Sequence, residues 1–270
     1  PGFWRLERAL FAAGFRAGDI VHNCFAYHLT PGGWMMDGAL RSLGCSVVPG
    51  GVGNTEQQVQ AIAHLRPGGY SGTPDFLKVL LDKGAELGLD CSSITRALVS
   101  GGALFPALRQ AYAERGVAVL QCYATADLGL IAYESEAREG MILDEGIIVE
   151  ILRPGTGEVG EVVVTTLNPD YPLIRFATGD LSAMLPGHSP CGRTAPRIKG
   201  WMGRADQATK VKGMFVQPAQ VAAVLKRHGE IARARLVVTR AGDSDVMTLR
   251  CEVKNDGEGL ASAIAASLQD

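Results

Sequence analysis

Along the N-terminal half of the chain, short apolar runs that end in Gly or Pro alternate with longer stretches whose apolar positions recur at helical spacing. Residues 3–15 have that spacing and stop at Gly14, a helix-ending position. Asp19–Phe25 is a short apolar strand. A turn on Pro31, Gly32 and Gly33 leads into a helix over Met35–Gly44, and Cys45–Gly51 forms a second strand with a glycine-rich end. A helix from Thr55 to about Leu65 has Glu56 in its first turn. Gly68–Ser71 then leads through a Gly-Thr-Pro turn into an amphipathic helix over Pro74–Gly88. Ile94–Gly102 reads as a strand, Pro106–Gly116 as a helix with proline at its start and glycine at its stop, and Val117–Asp127 as a strand running into a loop. Strand–helix alternation of this kind predicts a doubly wound, mostly parallel sheet with ligands beyond the carboxyl ends of its strands.

From Ala132 the pattern changes. Glycine and proline turns separate β-branched runs, which predicts antiparallel strands. From about Gln207 the order is a hairpin, a helix over Pro218–His228, strands at Ala234–Arg240 and Thr248–Lys254, and a helix starting near Glu258. The expected fold class is α/β: a doubly wound sheet, a β-rich subdomain over about 132–206, and a small C-terminal α+β domain.

A length of 270 residues suits one large domain with a small one, and 47% hydrophobic content with 34 glycines suits an α/β enzyme rich in tight turns. A net charge of −2 predicts no general attraction to nucleic acid or anionic membranes. No apolar run is long enough to span a bilayer and no signal pattern opens the chain, so the expected compartment is the cytoplasm. The six cysteines are scattered, with no Cys-x-x-Cys pair, and read mostly as small buried hydrophobes. Cys191 and His188 share a loop, but two ligands do not make a tetrahedral zinc site.

The chemistry concentrates between Pro172 and Gly213. PLIRFATGD (Pro172–Asp180) is an apolar run that ends on an acid. A carboxylate there accepts two hydrogen bonds from a vicinal diol such as a ribose; the alternative for Asp180 is an ordinary turn residue. Arg204 presents a planar fork of donors for ribose or phosphate oxygens. Lys210 and Lys212 beside Gly213 suit a polyanion, or else a solvated strand face.

The order of these pieces resembles the acyl- and aryl-adenylating superfamily, and within it the phenylacetate–CoA ligase family. YATAD (Tyr123–Asp127), PLIRFATGD, CGRT (Cys191–Thr194) and GRADQATKVKG (Gly203–Gly213) carry the resemblance, with NCFAYHLTPGG (Asn23–Gly33), SGTPDFL (Ser71–Leu77) and SGGALF (Ser100–Phe105) upstream. It runs over nearly the whole chain. It implies an AMP-forming acid–thiol ligase that uses ATP and Mg²⁺ to make an acyl-adenylate from an aryl or acyl carboxylic acid and passes it to coenzyme A. A homodimer is implied as well. Other readings are a relative whose acceptor is a carrier protein or an amine, and a non-catalytic nucleotide-binding member.

Residue by residue, the resemblance makes Asp127 the Mg²⁺ ligand, one methylene shorter than the family's glutamate; from the residues alone it also reads as a helix N-cap before Leu128–Tyr133. Thr125 donates to the α-phosphate. Tyr123 stacks on adenine or is a core aromatic, and Ala124 replaces the usual glycine. Ser100, Gly101, Gly102 and Ala103 form the adenine-side loop, Asp180 holds the ribose, and Arg204 reaches ribose or phosphate. Phe25, Tyr27, His28, Gly32 and Gly33 line the acyl pocket, with His28 either a carboxylate ligand or a core histidine. Asp206 is the hinge, which divides the chain into 1–206 and 207–270. Lys210, Lys212 and Gly213 face CoA.

Two family features lie outside the matched motifs: the Ser/Thr/Gly-rich phosphate loop and the C-terminal lysine. The PGTGEVGEVVV segment (Pro154–Val164) is also shorter than the family's. The expectation is that the sequence represents ordered pieces of a longer protein.

Overall fold

The computed structural model describes residues 4–152, 158–205, 209–211, 214–216, 218–241, 244–253 and 259–267. The chain divides into two compact units, Pro1–Gly203 and Arg204–Asp270.

The first unit opens with α1 (Glu7–Ala12), β1 (Ile20–Asn23), α2 (Gly32–Ser42), β2 (Ser46–Pro49), α3 (Thr55–Leu65) and β3 (Gly69–Gly72). It continues through α4 (Pro74–Leu87), β4 (Arg96–Val99), α5 (Pro106–Glu114) and β5 (Ala118–Thr125). The five strands lie parallel in the order β2-β1-β3-β4-β5. Both faces are covered. Ala9, Leu10, Met35, Met36 and Leu40 from α1 and α2 pack on one side with Val21, Leu98 and Leu120. Val59, Ile62, Leu77, Leu80, Leu108 and Tyr112 from α3, α4 and α5 pack on the other with Tyr70, Ala97, Val99 and Val119. Burial on both faces is why these strands lack a strict apolar–polar alternation. The strand order reverses between β1 and β3, and this switch point is where open α/β sheets bind ligands.

The sheet then turns antiparallel. β6 (Gly129–Tyr133), β7 (Met141–Leu143), β12 (Arg197–Ile198) and β11 (Met184–Leu185) extend it beyond β5 to nine strands. β8 (Ile147–Leu152), β9 (Gly160–Thr166) and β10 (Phe176–Ser182) make a second, three-stranded antiparallel sheet. Ile147, Val162 and Val164 of that sheet pack with Tyr123, Leu128, Ile131 and Ile198.

Three local expectations are corrected. α1 is shorter than the 3–15 periodicity because Arg5 adopts a left-handed φ of 56° and the Trp4 carbonyl accepts from Leu130 N, which commits those residues to β6. Leu128–Tyr133 carries a strand, so Asp127 is not a helix N-cap; the segment pairs with β5 through a tight turn. Asp180 is not at a strand end but inside β10, at an irregularity in the pairing between Ala177 and Leu181 where Gly179 takes a φ of 72°.

The second unit contains the hairpin β13 (Thr209–Val211) and β14 (Met214–Val216), α6 (Pro218–Arg227), the long hairpin β15 (Ile231–Ala241) and β16 (Ser244–Val253), and α7 (Leu260–Ser267). Val224, Ile231 and Ile264 form its core. Among the described residues, no helix is long and apolar enough to cross a membrane.

Candidate active site

At the switch point, Asn23 ends β1 and Ser71 lies on β3, both fully buried. Ser71 Oγ donates to Asn23 Oδ1 at 2.8 Å, and Asn23 Nδ2 donates to Tyr27 Oη at 2.7 Å and to the Gly33 carbonyl at 3.0 Å. Tyr27 passes its own proton toward Asp37 at 3.1 Å, and Arg41 holds Asp37 at 2.5 Å. Burial, with Asp37 alongside, pushes the Tyr27 hydroxyl up to about 12, so it stays protonated and can donate. This chain fixes the loop that follows β1. The buried polar residue in an otherwise apolar run was its signal in the sequence.

The Phe25 ring sits between Gly32, at the start of α2, and Gly101, in the loop after β4. A β-carbon at Gly32 would lie 3.7 Å from it, and one at Gly101 would lie 3.8 Å from it and 3.8 Å from Thr73. Gly101 has a φ of 74°, which favours glycine, and a β-carbon at Gly102 would lie 3.3 Å from Pro74, a tight contact in the loop after β4. Ser100 anchors that loop by donating to the Cys122 carbonyl at 2.9 Å, and Ala103 completes the segment. Phe25, packed beside Gly32, thus meets the Ser100–Ala103 loop at Gly101. Tyr27 and exposed His28 instead line a cavity of about 620 Å³ with Trp34, Asp37, Arg41 and Pro49–Val52. Gly33 packs beneath the Tyr27 ring, and Tyr27 meets Trp34 edge-on at 5.2 Å. His28 is therefore not a core histidine. His22, by contrast, is buried and bonded to Gln58 at 2.7 Å, and burial lowers its pKa.

The acid singled out in the sequence has two neighbours that local pattern did not reveal. Tyr123 Oη donates to Asp180 Oδ2 at 2.8 Å and Trp201 Nε1 donates to Oδ1 at 2.9 Å. Asp180 is 8% exposed. Two donors from segments remote in sequence thus hold both oxygens of this carboxylate. The Tyr123 ring is packed in the core cluster with Leu128, Ile131 and Val162, and its polar tip is what reaches the acid.

Four residues beyond Tyr123 lies Asp127, exposed on the tight turn between β5 and β6. Thr125 Oγ1 accepts from Leu128 N at 3.1 Å and closes that turn, and Ala124 precedes it on β5. One exposed carboxylate fits Mg²⁺ that arrives with nucleotide phosphates, since Mg²⁺ keeps waters and takes few protein ligands. Among the described residues, no group of three or more His, Cys, Asp or Glu is placed to hold a metal by itself. Arg204 begins the second unit and Lys210 lies on the β13 backbone. Asp206, Lys212 and Gly213 lie outside the described residues.

With this geometry in place, comparison with known proteins is informative. No protein-family model matches the chain. The phenylacetate–coenzyme A ligases of Thermus thermophilus and Aromatoleum evansii are 34% and 31% identical to it over 263 residues, 92% of this chain and 59% of each relative. The chain belongs to the phenylacetate–coenzyme A ligase family. It spans about three fifths of the length of these curated relatives. Among solved structures, 2-hydroxyisobutyryl-CoA ligase in complex with 2-HIB-AMP and CoA superposes with a TM-score of 0.81 at 27% identity, over 97% of this chain and 59% of that one. An amide bond synthetase from Marinactinospora thermotolerans has the same fold, with a TM-score of 0.72 at 20% identity.

Proposed function

We propose that the protein carrying this chain activates a carboxylic acid with ATP as an acyl-adenylate and transfers the acyl group to coenzyme A. Family membership supports this reading, as does the thioesterification complex of 2-hydroxyisobutyryl-CoA ligase with its 2-HIB-AMP and CoA. The observation in this chain that carries it is the Asp180 carboxylate held by Trp201 and by Tyr123, which lies on β5 two residues before Thr125 and the turn that bears Asp127.

In this mechanism Asp180 accepts the two ribose hydroxyls, and Tyr123 and Trp201 keep its oxygens aimed. The Ser100–Ala103 backbone lies along the adenine, where glycine permits close approach, and Phe25 with Gly32 walls the acid's side of the crevice. Thr125 donates to the α-phosphate as its charge develops. Asp127 holds Mg²⁺, which supplies charge neutralisation for phosphate and pyrophosphate. Arg204 reaches ribose or phosphate oxygens, Asp206 is the hinge about which the second unit swings between half-reactions, and Lys210, Lys212 and Gly213 face CoA. Tyr27 and His28 line the acyl side through the cavity they share with Trp34. The proposal includes a cytoplasmic homodimer.

Carboxylate-dependent ATP–pyrophosphate exchange tests the first half-reaction, and mass detection of a thioester after CoA is added tests the second. Exchange with no thioester, in the presence of a carrier protein or amine that is acylated, would replace CoA as acceptor. Absence of exchange with any carboxylate would remove the ligase reading.

A further inference from the structure

We propose that Arg5, together with Trp4, is a positioning pair that sets the turn bearing Thr125 and Asp127. The proposal rests on the phosphate-side and metal-side reading of that turn given above. Three alternate carbonyls of the turn and of the strand after it accept hydrogen bonds from these two side chains. Trp4 Nε1 donates to the Ala126 carbonyl at 2.9 Å, and Arg5 Nη2 donates to those of Leu128 and Leu130 at 2.8 and 3.1 Å. Leu130 N returns a bond to the Trp4 carbonyl at 2.9 Å. The clamp therefore grips the backbone on both sides of Asp127 and leaves its carboxylate exposed.

Other features exist to place Arg5. Its φ of 56° is a left-handed conformation that a long side chain seldom adopts. Asp144, whose side chain is fully buried, receives Arg5 Nε at 2.8 Å and the Gly146 amide at 2.8 Å. Gly146 keeps the path open, since a β-carbon there would come within 2.8 Å of Arg5 Cδ. Gly129 does the same for the Trp4 backbone, where a β-carbon would lie 2.7 Å away, and it has a φ of 71°. Arg8 reaches Asp144 at 3.4 Å and Glu145 at 3.2 Å. Two cations thus face two carboxylates, so Arg5 brings no spare positive charge for phosphate. Its fork is used on the turn, with one edge on the acid and one on carbonyls.

The test compares Arg5→Lys, which retains a charge opposite Asp144 but not the fork, with Arg8→Gln, which removes the other cation and leaves the turn alone. Both are made in the intact protein. The readouts are amide hydrogen exchange over residues 126–130 and the Mg²⁺ dependence of carboxylate-dependent ATP–pyrophosphate exchange. Arg5→Lys is expected to speed amide exchange on the order of tenfold. It should also lower kcat up to a hundredfold, on the order expected for a displacement of about 1 Å, raise the Mg²⁺ requirement and leave the KM for the acid unchanged. Arg8→Gln should stay within about twofold of wild type in both, because Arg8 is half exposed, its pair with Glu145 is at the surface, and Arg5 still pairs the buried Asp144. Wild-type behaviour of Arg5→Lys, or an equal loss in Arg8→Gln, overturns the proposal. If Arg5→Lys does not fold, Trp4→Phe carries the test. It removes the indole N–H that bonds the Ala126 carbonyl and should loosen the same amides and lower kcat; no change in either overturns the proposal. Asp127→Asn separates the two readings: it should slow catalysis while the amides stay protected. A fully active Asp127→Asn would end the metal reading, and the clamp would still stand or fall on the amides and kcat of Arg5→Lys.

Discussion

Removing one oxygen atom, by Tyr123→Phe, tests the centre of the site. The hydroxyl donates at 2.8 Å to a carboxylate that is 8% exposed, while the ring is packed against Leu128, Ile131 and Val162. Phenylalanine preserves that packing, so the expected loss is that of a charge-assisted hydrogen bond, about 1.5–3 kcal/mol. Chemical denaturation followed by tryptophan fluorescence reads the stability, and Trp201 on the other carboxylate oxygen is a local reporter. Asp180→Asn and the double variant complete a cycle whose coupling energy is expected near 1–3 kcal/mol. Calorimetry with AMP then reads the functional part. A carboxylate that has lost one of its aiming donors should bind the ribose diol about tenfold more weakly, which corresponds to about 1.4 kcal/mol. Unchanged stability in Tyr123→Phe would refute the hydrogen-bond geometry. A stability loss with AMP affinity unchanged in both Tyr123→Phe and Asp180→Asn would make the cluster a structural device and remove the ribose assignment.

Other perturbations have defined outcomes. Gly33→Ala places a β-carbon 2.6 Å from the Ala26 carbonyl oxygen and 2.8 Å from Tyr27 Cγ, so a loss of about 1–3 kcal/mol is expected by thermal denaturation; a neutral result would mean that the loop after β1 is not closely packed. Arg109→Met leaves buried Glu134, now bonded by Arg109 at 2.7 and 2.9 Å and by Gln121, without its cation, and should cost about 3–5 kcal/mol. A loss below about 1 kcal/mol would show that the Gln121 donors suffice. At Cys191, partial desolvation pushes the thiol upward, but hydrogen bonds from Ser135, Ser189 and Arg193 outweigh it and lower the pKa to about 6. The folded value lies below the unfolded one, so its contribution to stability is full above an ordinary thiol pKa and is lost as pH falls through about 6. Iodoacetamide at pH 7 should therefore modify Cys191 before Cys24, Cys91 and Cys122, whose thiols burial raises. Peptide mass mapping that shows Cys191 unmodified at that pH would contradict this.

Where a structural fact repeats along the chain, the sequence was enough to specify it. The helix over Thr55–Leu65 has the bounds its periodicity predicts, and the alternation of apolar runs with amphipathic stretches specifies a sheet covered on both faces. The glycines of Ser100–Ala103 announce a loop because they answer a local backbone need, and the ordered motifs identify the family. Other facts depend on residues that are remote in sequence. Leu128–Tyr133 is an unbroken apolar run compatible with helix or strand, and pairing with β5 made it a strand. Asp180 looked like the end of a turn because nothing near it encodes β9, Tyr123 lies 57 positions away, and Trp201 lies 21 positions away. Arg5 finds its carbonyl partners 123 and 125 positions downstream. Periodicity records which face of an element meets the core. Only the folded chain decides which polar atoms from distant segments come within 3 Å of one another, because that choice is made by packing and leaves no repeating mark in the sequence.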